Sequence, residues 1–135
     1  MKQTIQLYVG VGIGGMVGAS ARYLLSVILE NDSVYSFPWA TLLVNMSGAF
    51  LLTLLGFSPL IKDKLKPVLL TAINTGIIGA FTTFSTIQLD TIQLLERNIY
   101  IACLYLGITI VGGLTCSFLG IKAAPYLRLK KEVHS

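Results

Sequence analysis

The sequence predicts an all-α integral membrane protein with four transmembrane helices in a single domain, residues 1–135. Its composition is that of a lipid-embedded chain: 54% of the residues are hydrophobic, 12% are charged, and the mean hydropathy is +0.77. Four apolar segments are each long enough to cross a hydrocarbon core of about 30 Å at about 1.5 Å per residue. They cover residues 5–29, 39–61, 67–95 and 99–121, and a basic tail follows at 122–135. The connections between them are too short for a second domain.

The first segment is expected to be a helix that packs closely on a neighbour. Lys2, an apolar run and the small residues at 19–21 are also compatible with a secretory signal, but apolar sequence resumes after Arg22, which favours a retained span. Small residues recur in it at every fourth position: Gly10, Gly14 and Gly18. This spacing lets the backbones of two membrane helices approach each other closely.

Polar side chains fall in the outer halves of the first, second and fourth segments. Arg22 is expected to face a hydrated vestibule, because a cation within a span normally meets water or a partner; the alternative is that it reaches the outer surface. Asn45 lies too deep for that and either bonds a neighbouring helix or donates to a passing ion. Tyr105 and Thr109 share one helix face, which Gly113 continues without a hydroxyl, although such hydroxyls commonly bond their own backbone.

The third segment is unusual because it becomes polar and glycine-bearing in its middle, between residues 75 and 86. The centre of that segment lies near Thr82, which places this stretch close to the bilayer midplane. Lipid cannot satisfy freed backbone groups, so an interrupted helix at that depth must be buried in protein or line a hydrated cavity. Freed carbonyls there are natural ligands for a bare cation.

The basic residues are distributed unevenly between the two sides of the predicted membrane domain. One side holds eight of the ten: Lys2, Lys62, Lys64, Lys66, Lys122, Arg128, Lys130 and Lys131. The opposite loops hold only Arg97. By the positive-inside rule both termini are cytoplasmic and the orientation is single. The basic residues therefore indicate the orientation of the chain in the membrane, where they lie beside anionic lipid. Nucleic-acid binding is not expected.

Three stretches of the chain resemble the Fluc (CrcB) family of fluoride channels, and the resemblance spans nearly the whole length. They are residues 15–23 in the first span, residues 41–48 in the second, and residues 75–86, TGIIGAFTTFST, in the third. The resemblance implies an antiparallel, dual-topology-type dimer of four-helix subunits in the bacterial inner membrane, with the third helix broken near the midplane. It also implies passive fluoride export through two pores at the subunit interface, and a structural Na⁺ on the dyad held by backbone carbonyls of Gly79 and Thr82.

The same resemblance assigns the fluoride pore to five positions: Asn45, Phe84, Ile87, Tyr105 and Thr109. Asn45, Tyr105 and Thr109 are expected to replace fluoride's hydration with hydrogen-bond donors. The electropositive edge of the Phe84 ring meets the anion without a fixed charge. Ile87 departs from the family pattern, which has a second Phe at that position.

The Ile87 departure and the single orientation together suggest a heterodimer with a paralogous subunit of reversed charge bias, in which one pore is degraded; a homodimer is the alternative. A non-conducting accessory or scaffold subunit also remains open. A small multidrug-type transporter is disfavoured, because the acidic residues are expected at span ends or in loops. No nucleophile and base, metal cluster or phosphate loop indicates an enzyme.

Overall fold

The computed structural model describes residues 2–29 and 37–127, and its regular structure is helical. The elements are α1 (Lys2–Leu29), α2 (Trp39–Phe57), α3 (Pro59–Lys64), α4 (Pro67–Thr71), a π-helix (Ala72–Ile78), α5 (Gly79–Phe81), α6 (Ser85–Arg97) and α7 (Ile99–Ala123). Within the described residues four stretches are long and apolar enough to cross a membrane: Lys2–Leu29, Trp39–Phe57, Pro67–Arg97 and Ile99–Ala123. The prediction of an all-α, multi-pass membrane protein is confirmed. Residues 30–36 of the first loop and 128–135 of the tail lie outside the described residues.

The second span is shorter than the sequence predicted. We expected it to run to residue 61, whereas α2 ends at Phe57 and a separate six-residue helix, α3, begins at Pro59. Proline disfavours helical angles in the residue before it, and Ser58 is extended, with φ −73° and ψ 117°. The chain therefore leaves the α2 axis at Ser58.

The N-terminal half of the third span packs on α1 almost backbone to backbone. A Cβ atom added to Gly14 would lie 2.7 Å from the carbonyl oxygen of Ala72, and one added to Gly18 would collide with the carbonyl oxygen of Ile77. Gly14 and Gly18 pack against the π-helix of the third span. At the end of this π-helix the Gly79 N–H donates a hydrogen bond to the Asn74 carbonyl, five residues earlier. Periodicity predicts a helix here but gives no signal for the extra residue per turn.

The other close pair is α2 and α7, which run in the same direction. Gly112 accommodates the side chain of Met46, and Gly120 lies against Thr53. A small core forms where these helices meet α6, from the buried residues Leu42, Leu94, Ala102 and Tyr105. Most other large apolar side chains of the four spans are exposed, which suits a chain surrounded by lipid or by a second subunit.

Candidate functional site

The centre of the candidate site is the short stretch of residues 82–84, between α5 and α6. Thr82 has extended backbone angles, φ −73° and ψ 156°, so the chain turns away from the α5 axis there. Asn45 of α2 holds the stretch in place, because its Oδ1 accepts a hydrogen bond from the Thr83 main-chain N–H at 2.9 Å. The other end of the Asn45 amide donates to the Thr41 carbonyl at 2.9 Å. Asn45 therefore bonds a neighbouring segment and keeps one amide hydrogen for another acceptor.

Two carbonyl oxygens before residue 84 lack their ordinary helical partners, each because a different amide is diverted. The Thr83 amide would close a helical turn on the Gly79 carbonyl, but it points to Asn45 instead. Among the described residues, the Gly79 oxygen receives only the Thr82 hydroxyl, at 3.3 Å. The Thr86 amide likewise donates to the Thr83 hydroxyl, at 3.2 Å, and so does not satisfy the Thr82 carbonyl.

A cavity of about 260 Å³ adjoins this stretch and is lined in part by Arg22, the cation within the apolar part of the first span. It is lined by Ala19, Arg22, Tyr23, Ser26, Ala40, Thr41, Val44, Thr83 and Thr86. Arg22 is half-buried, and several of the residues around it carry hydroxyl groups. The sequence placed Arg22 in a vestibule but gave no part in it to Thr83 or Thr86, although both lie in the polar run of the third segment.

Tyr105 and Thr109 use their hydroxyl protons inside the chain. Tyr105 is fully buried and donates to the Asp90 carboxylate at 3.1 Å, while Thr109 donates to the Tyr105 carbonyl at 2.8 Å. The ring of Phe37 packs edge-on against the Tyr105 ring, with centroids 5.6 Å apart and an interplanar angle of 82°. Both pore assignments therefore stay predictions, and each hydroxyl must turn from its present acceptor to serve an ion.

Asp90 corrects the expectation that every acidic residue lies at a span end or in a loop. It lies within α6, is half-buried, and accepts the Tyr105 bond. The sequence contains this signal, since Asp90 is well before Arg97 at the end of that helix, and the expectation of a terminal position is wrong. An ionisable group inside a span is a functional candidate with its partner, here the Tyr105 phenol.

Phe84 and Ile87 line the same surface groove but differ in what they touch. Phe84 is 71% exposed, whereas Ile87 is half-buried and packs on the core around Tyr105. The groove encloses about 450 Å³ and is lined by Phe84, Ile87, Gln88, Thr91, Ile92 and Leu106. Neither this groove nor the Arg22 cavity is lined by Tyr105 or Thr109. A single chain therefore places the predicted pore residues in three neighbouring environments.

The family described as "CrcB-like protein, Camphor Resistance (CrcB)" matches residues 9–121. A protein of Bacillus thuringiensis subsp. konkukian named "Fluoride-specific ion channel FluC 1" is 41% identical over 94% of this chain and 93% of its own length. One of the same name from Desulfitobacterium hafniense is 44% identical over 81% and 95% of the two chains. "Fluoride-specific ion channel FluC 2" of Geobacillus kaustophilus is 37% identical over 87% and 92%.

Proposed function

The chain belongs to the CrcB family, and on that premise we propose that it pairs with an inverted second subunit to form a passive fluoride channel in the bacterial inner membrane. The family and the names of its relatives support a fluoride channel and not an enzyme. The observation that carries the proposed arrangement is the bond between Asn45 and the Thr83 amide. That bond frees the Gly79 carbonyl, the Thr86–Thr83 bond frees the Thr82 carbonyl, and the neighbouring Phe84 ring is 71% exposed.

The anion route begins at the Arg22 cavity and continues past Phe84. Fluoride is small and strongly hydrated, so its route must replace water with hydrogen-bond donors. The cavity offers the Arg22 guanidinium with several hydroxyl groups, and Asn45 keeps a spare amide hydrogen. The edge of the Phe84 ring attracts an anion without the fixed charge that would trap it. A second subunit against this surface would enclose the ring within the route.

The carbonyls of Gly79 and Thr82 suit a structural sodium ion. Alkali cations take oxygen ligands, and unwound backbone within a membrane supplies them as carbonyls free of helical hydrogen bonds. The Gly79 oxygen has only a long contact to a hydroxyl, and the extended angles of Thr82 turn its carbonyl out of the helix. These oxygens would hold the ion as ligands where two subunits meet near the bilayer midplane, and the ion would satisfy carbonyls that lack hydrogen bonds. Gly79 is exposed in the single chain, as such an interface requires.

The second subunit is proposed to be a paralogue of opposite orientation. Eight basic residues on one side and Arg97 alone on the other favour cytoplasmic termini for this chain, and an inverted partner would need the reverse bias. Ile87 adds a second reason, because an aliphatic side chain has no electropositive edge and degrades the pore to which it belongs. A homodimer remains the alternative and requires some copies of this chain to insert against their own charge bias.

The experiment that tests the channel is fluoride efflux from liposomes. The protein is purified from membranes with any small subunit that accompanies it, and efflux of fluoride and of chloride is measured with ion-selective electrodes under a potassium-driven voltage. We expect fluoride efflux without chloride efflux. The absence of fluoride efflux from both the co-purified complex and the chain alone would contradict the channel and favour an accessory role. Full activity of the chain alone would contradict the need for a paralogue.

The sodium site has its own test at Gly79. A Cβ at this position would meet only the Asn74 carbonyl at 3.6 Å, so the subunit itself has room for a side chain. Gly79→Val is expected to abolish dimer formation by crowding the dyad, whereas Thr82→Ala keeps the carbonyl and is expected to be mild. Gly107→Val is the matched control, since Gly107 is a helical glycine with open space around it. Cross-linking in membranes gives the dimer fraction, and a more damaging Thr82→Ala would contradict the site.

A further inference from the structure

The groove that holds Phe84 and Ile87 contains a donor to which the sequence gave no role, the carboxamide of Gln88. Gln88 follows Phe84 by one helical turn, and its main-chain N–H donates to the Phe84 carbonyl at 3.1 Å. Its side chain is exposed and lines the groove of about 450 Å³. Within residues 2–29 and 37–127, no side chain or carbonyl hydrogen-bonds this amide.

The other polar group of the groove is already engaged. The Thr91 hydroxyl donates to the Ile87 carbonyl at 2.6 Å, so its proton is not offered to the groove. The remaining lining residues are Phe84, Ile87, Ile92 and Leu106, which have no polar hydrogen on their side chains. The two amide hydrogens of Gln88 are therefore the side-chain donors that this groove can present to an anion.

The depth of Gln88 makes an unsatisfied amide costly. Gln88 lies about 9 Å beyond Thr82 along the helix axis, well inside the hydrocarbon core if Thr82 is near the midplane. A carboxamide without a partner in an apolar medium is strongly unfavourable, because it loses its hydrogen bonds to water without replacing them. A polar group kept at such a depth normally faces water, a passing ion or another subunit.

We propose that the Gln88 amide is a fluoride-coordinating group that supplies, next to Ile87, the donor that an aliphatic side chain cannot give. This inference rests on the proposed channel and deepens it. Ile87 lines the groove but is half-buried against the core around Tyr105, whereas Gln88 is exposed in the groove beside Phe84. The amide carries partial positive charge on its hydrogens and no net charge, so it replaces water around fluoride without holding the anion as a lysine would.

The test compares Gln88→Met with Gln93→Met in the conducting complex. Methionine keeps the length and flexibility of glutamine but removes the donors. Gln93 is the matched control, because it is exposed on the same helix but does not line the groove. We expect Gln88→Met to lower fluoride efflux about tenfold, equivalent to the loss of one ion-facing hydrogen bond, with an unchanged dimer fraction. Gln93→Met should conduct normally.

Two further variants separate coordination from a structural role. Gln88→Glu keeps the shape of the side chain but replaces donors with a carboxylate, so its efflux should fall below that of Gln88→Met. The Ile87→Phe substitution restores a ring edge. In that background Gln88→Met should lower fluoride efflux by less than about threefold. Equal losses in both backgrounds, a parallel loss of dimer, or unchanged efflux in Gln88→Met would each overturn the inference. A wild-type complex without fluoride efflux would instead overturn the proposed channel, and this inference with it.

Discussion

The two halves of the third span are held by different kinds of contact. The N-terminal half, from α4 to α5, meets α1 through backbone atoms and glycines, and a Cβ at Gly18 would collide with the Ile77 carbonyl. The C-terminal half, α6, meets α7 through side chains such as Asp90 and leaves Phe84 and Gln88 at the surface. One half is therefore a close-packed support, and the other presents chemistry on it. Substitutions should affect folding in the first half and conduction in the second.

The largest effect is expected where a side chain is forced into the backbone seam. Gly18→Leu places atoms where the Ile77 carbonyl already lies, and neither backbone has room to move away from the other. We expect a loss of about 3 kcal/mol or more and no folded protein. The measurement is the yield of monodisperse protein in detergent. Gly12→Leu is the control on the same helix, since nothing lies within 4 Å of a Cβ there; similar yields for the two variants would contradict the seam.

A smaller loss of stability is expected at the junction between the two halves. Asn45→Ala removes the acceptor of the Thr83 amide and leaves a half-buried N–H without a partner, which costs about 1–3 kcal/mol. Thermal unfolding in detergent, followed by the fluorescence of the single Trp39, measures the shift. Ser47→Ala is the control, because the Ser47 hydroxyl bonds only carbonyls of its own helix. An Asn45→Ala variant as stable as Ser47→Ala would show that the bond does not hold residues 82–84.

Sequence predicted the spans well because the bilayer imposes one requirement, an apolar length, that composition reports directly. It predicted the Gly14 and Gly18 contact from spacing alone, and these glycines do face the neighbouring helix. It missed the π-helix at Ala72–Ile78, because the extra residue per turn depends on how closely α1 approaches and leaves no periodic signal. The end of α2 at Phe57 was missed because hydropathy continues past Pro59 although the helix does not.

The site was harder to predict than the spans because hydrogen-bond partners depend on tertiary contacts. Tyr105 reads as a free hydroxyl in the sequence, yet its partner Asp90 comes from the preceding helix. For Asn45 the sequence allows either a structural hydrogen bond or a donor role toward an ion. In the structure its Oδ1 accepts from the Thr83 amide, while its Nδ2 donates to the Thr41 carbonyl. The sequence assigns Gln88 no role, because only the groove distinguishes it from Gln93 on the same helix.

The C-terminal half should respond to substitution in conduction before it responds in stability. Phe84→Ile removes the electropositive ring edge, and since Phe84 is 71% exposed it loses little packing within the subunit. We expect fluoride efflux to fall about tenfold, by the loss of roughly 1.4 kcal/mol of ion stabilisation, with the dimer intact. Efflux from liposomes and the cross-linked dimer fraction are measured together.

The control for Phe84 is Phe118→Ile, which removes an exposed ring near the end of α7, beside Lys122. This variant should conduct as the wild type does. Unchanged efflux in Phe84→Ile, or equal reductions in both variants, would contradict a specific role for the ring edge and would place the conduction path away from residues 82–84.

The smallest expected effect is a gain at Gly113, which continues the helix face of Tyr105 and Thr109. Nothing lies within 4 Å of a Cβ at this glycine, so Gly113→Ser fits the subunit and adds a third hydroxyl. The new hydroxyl also bonds its own helix, as Thr109 does at 2.8 Å, so we expect fluoride efflux to rise only about twofold. Gly107→Ser is the control, because Gly107 lies two residues after Tyr105, on the opposite face of α7, with nothing within 4 Å of a Cβ, so its efflux should not change. Unchanged efflux in Gly113→Ser would contradict contact between the ion and this helix face at Gly113. The donors that α7 supplies would then end with the hydroxyls of Tyr105 and Thr109.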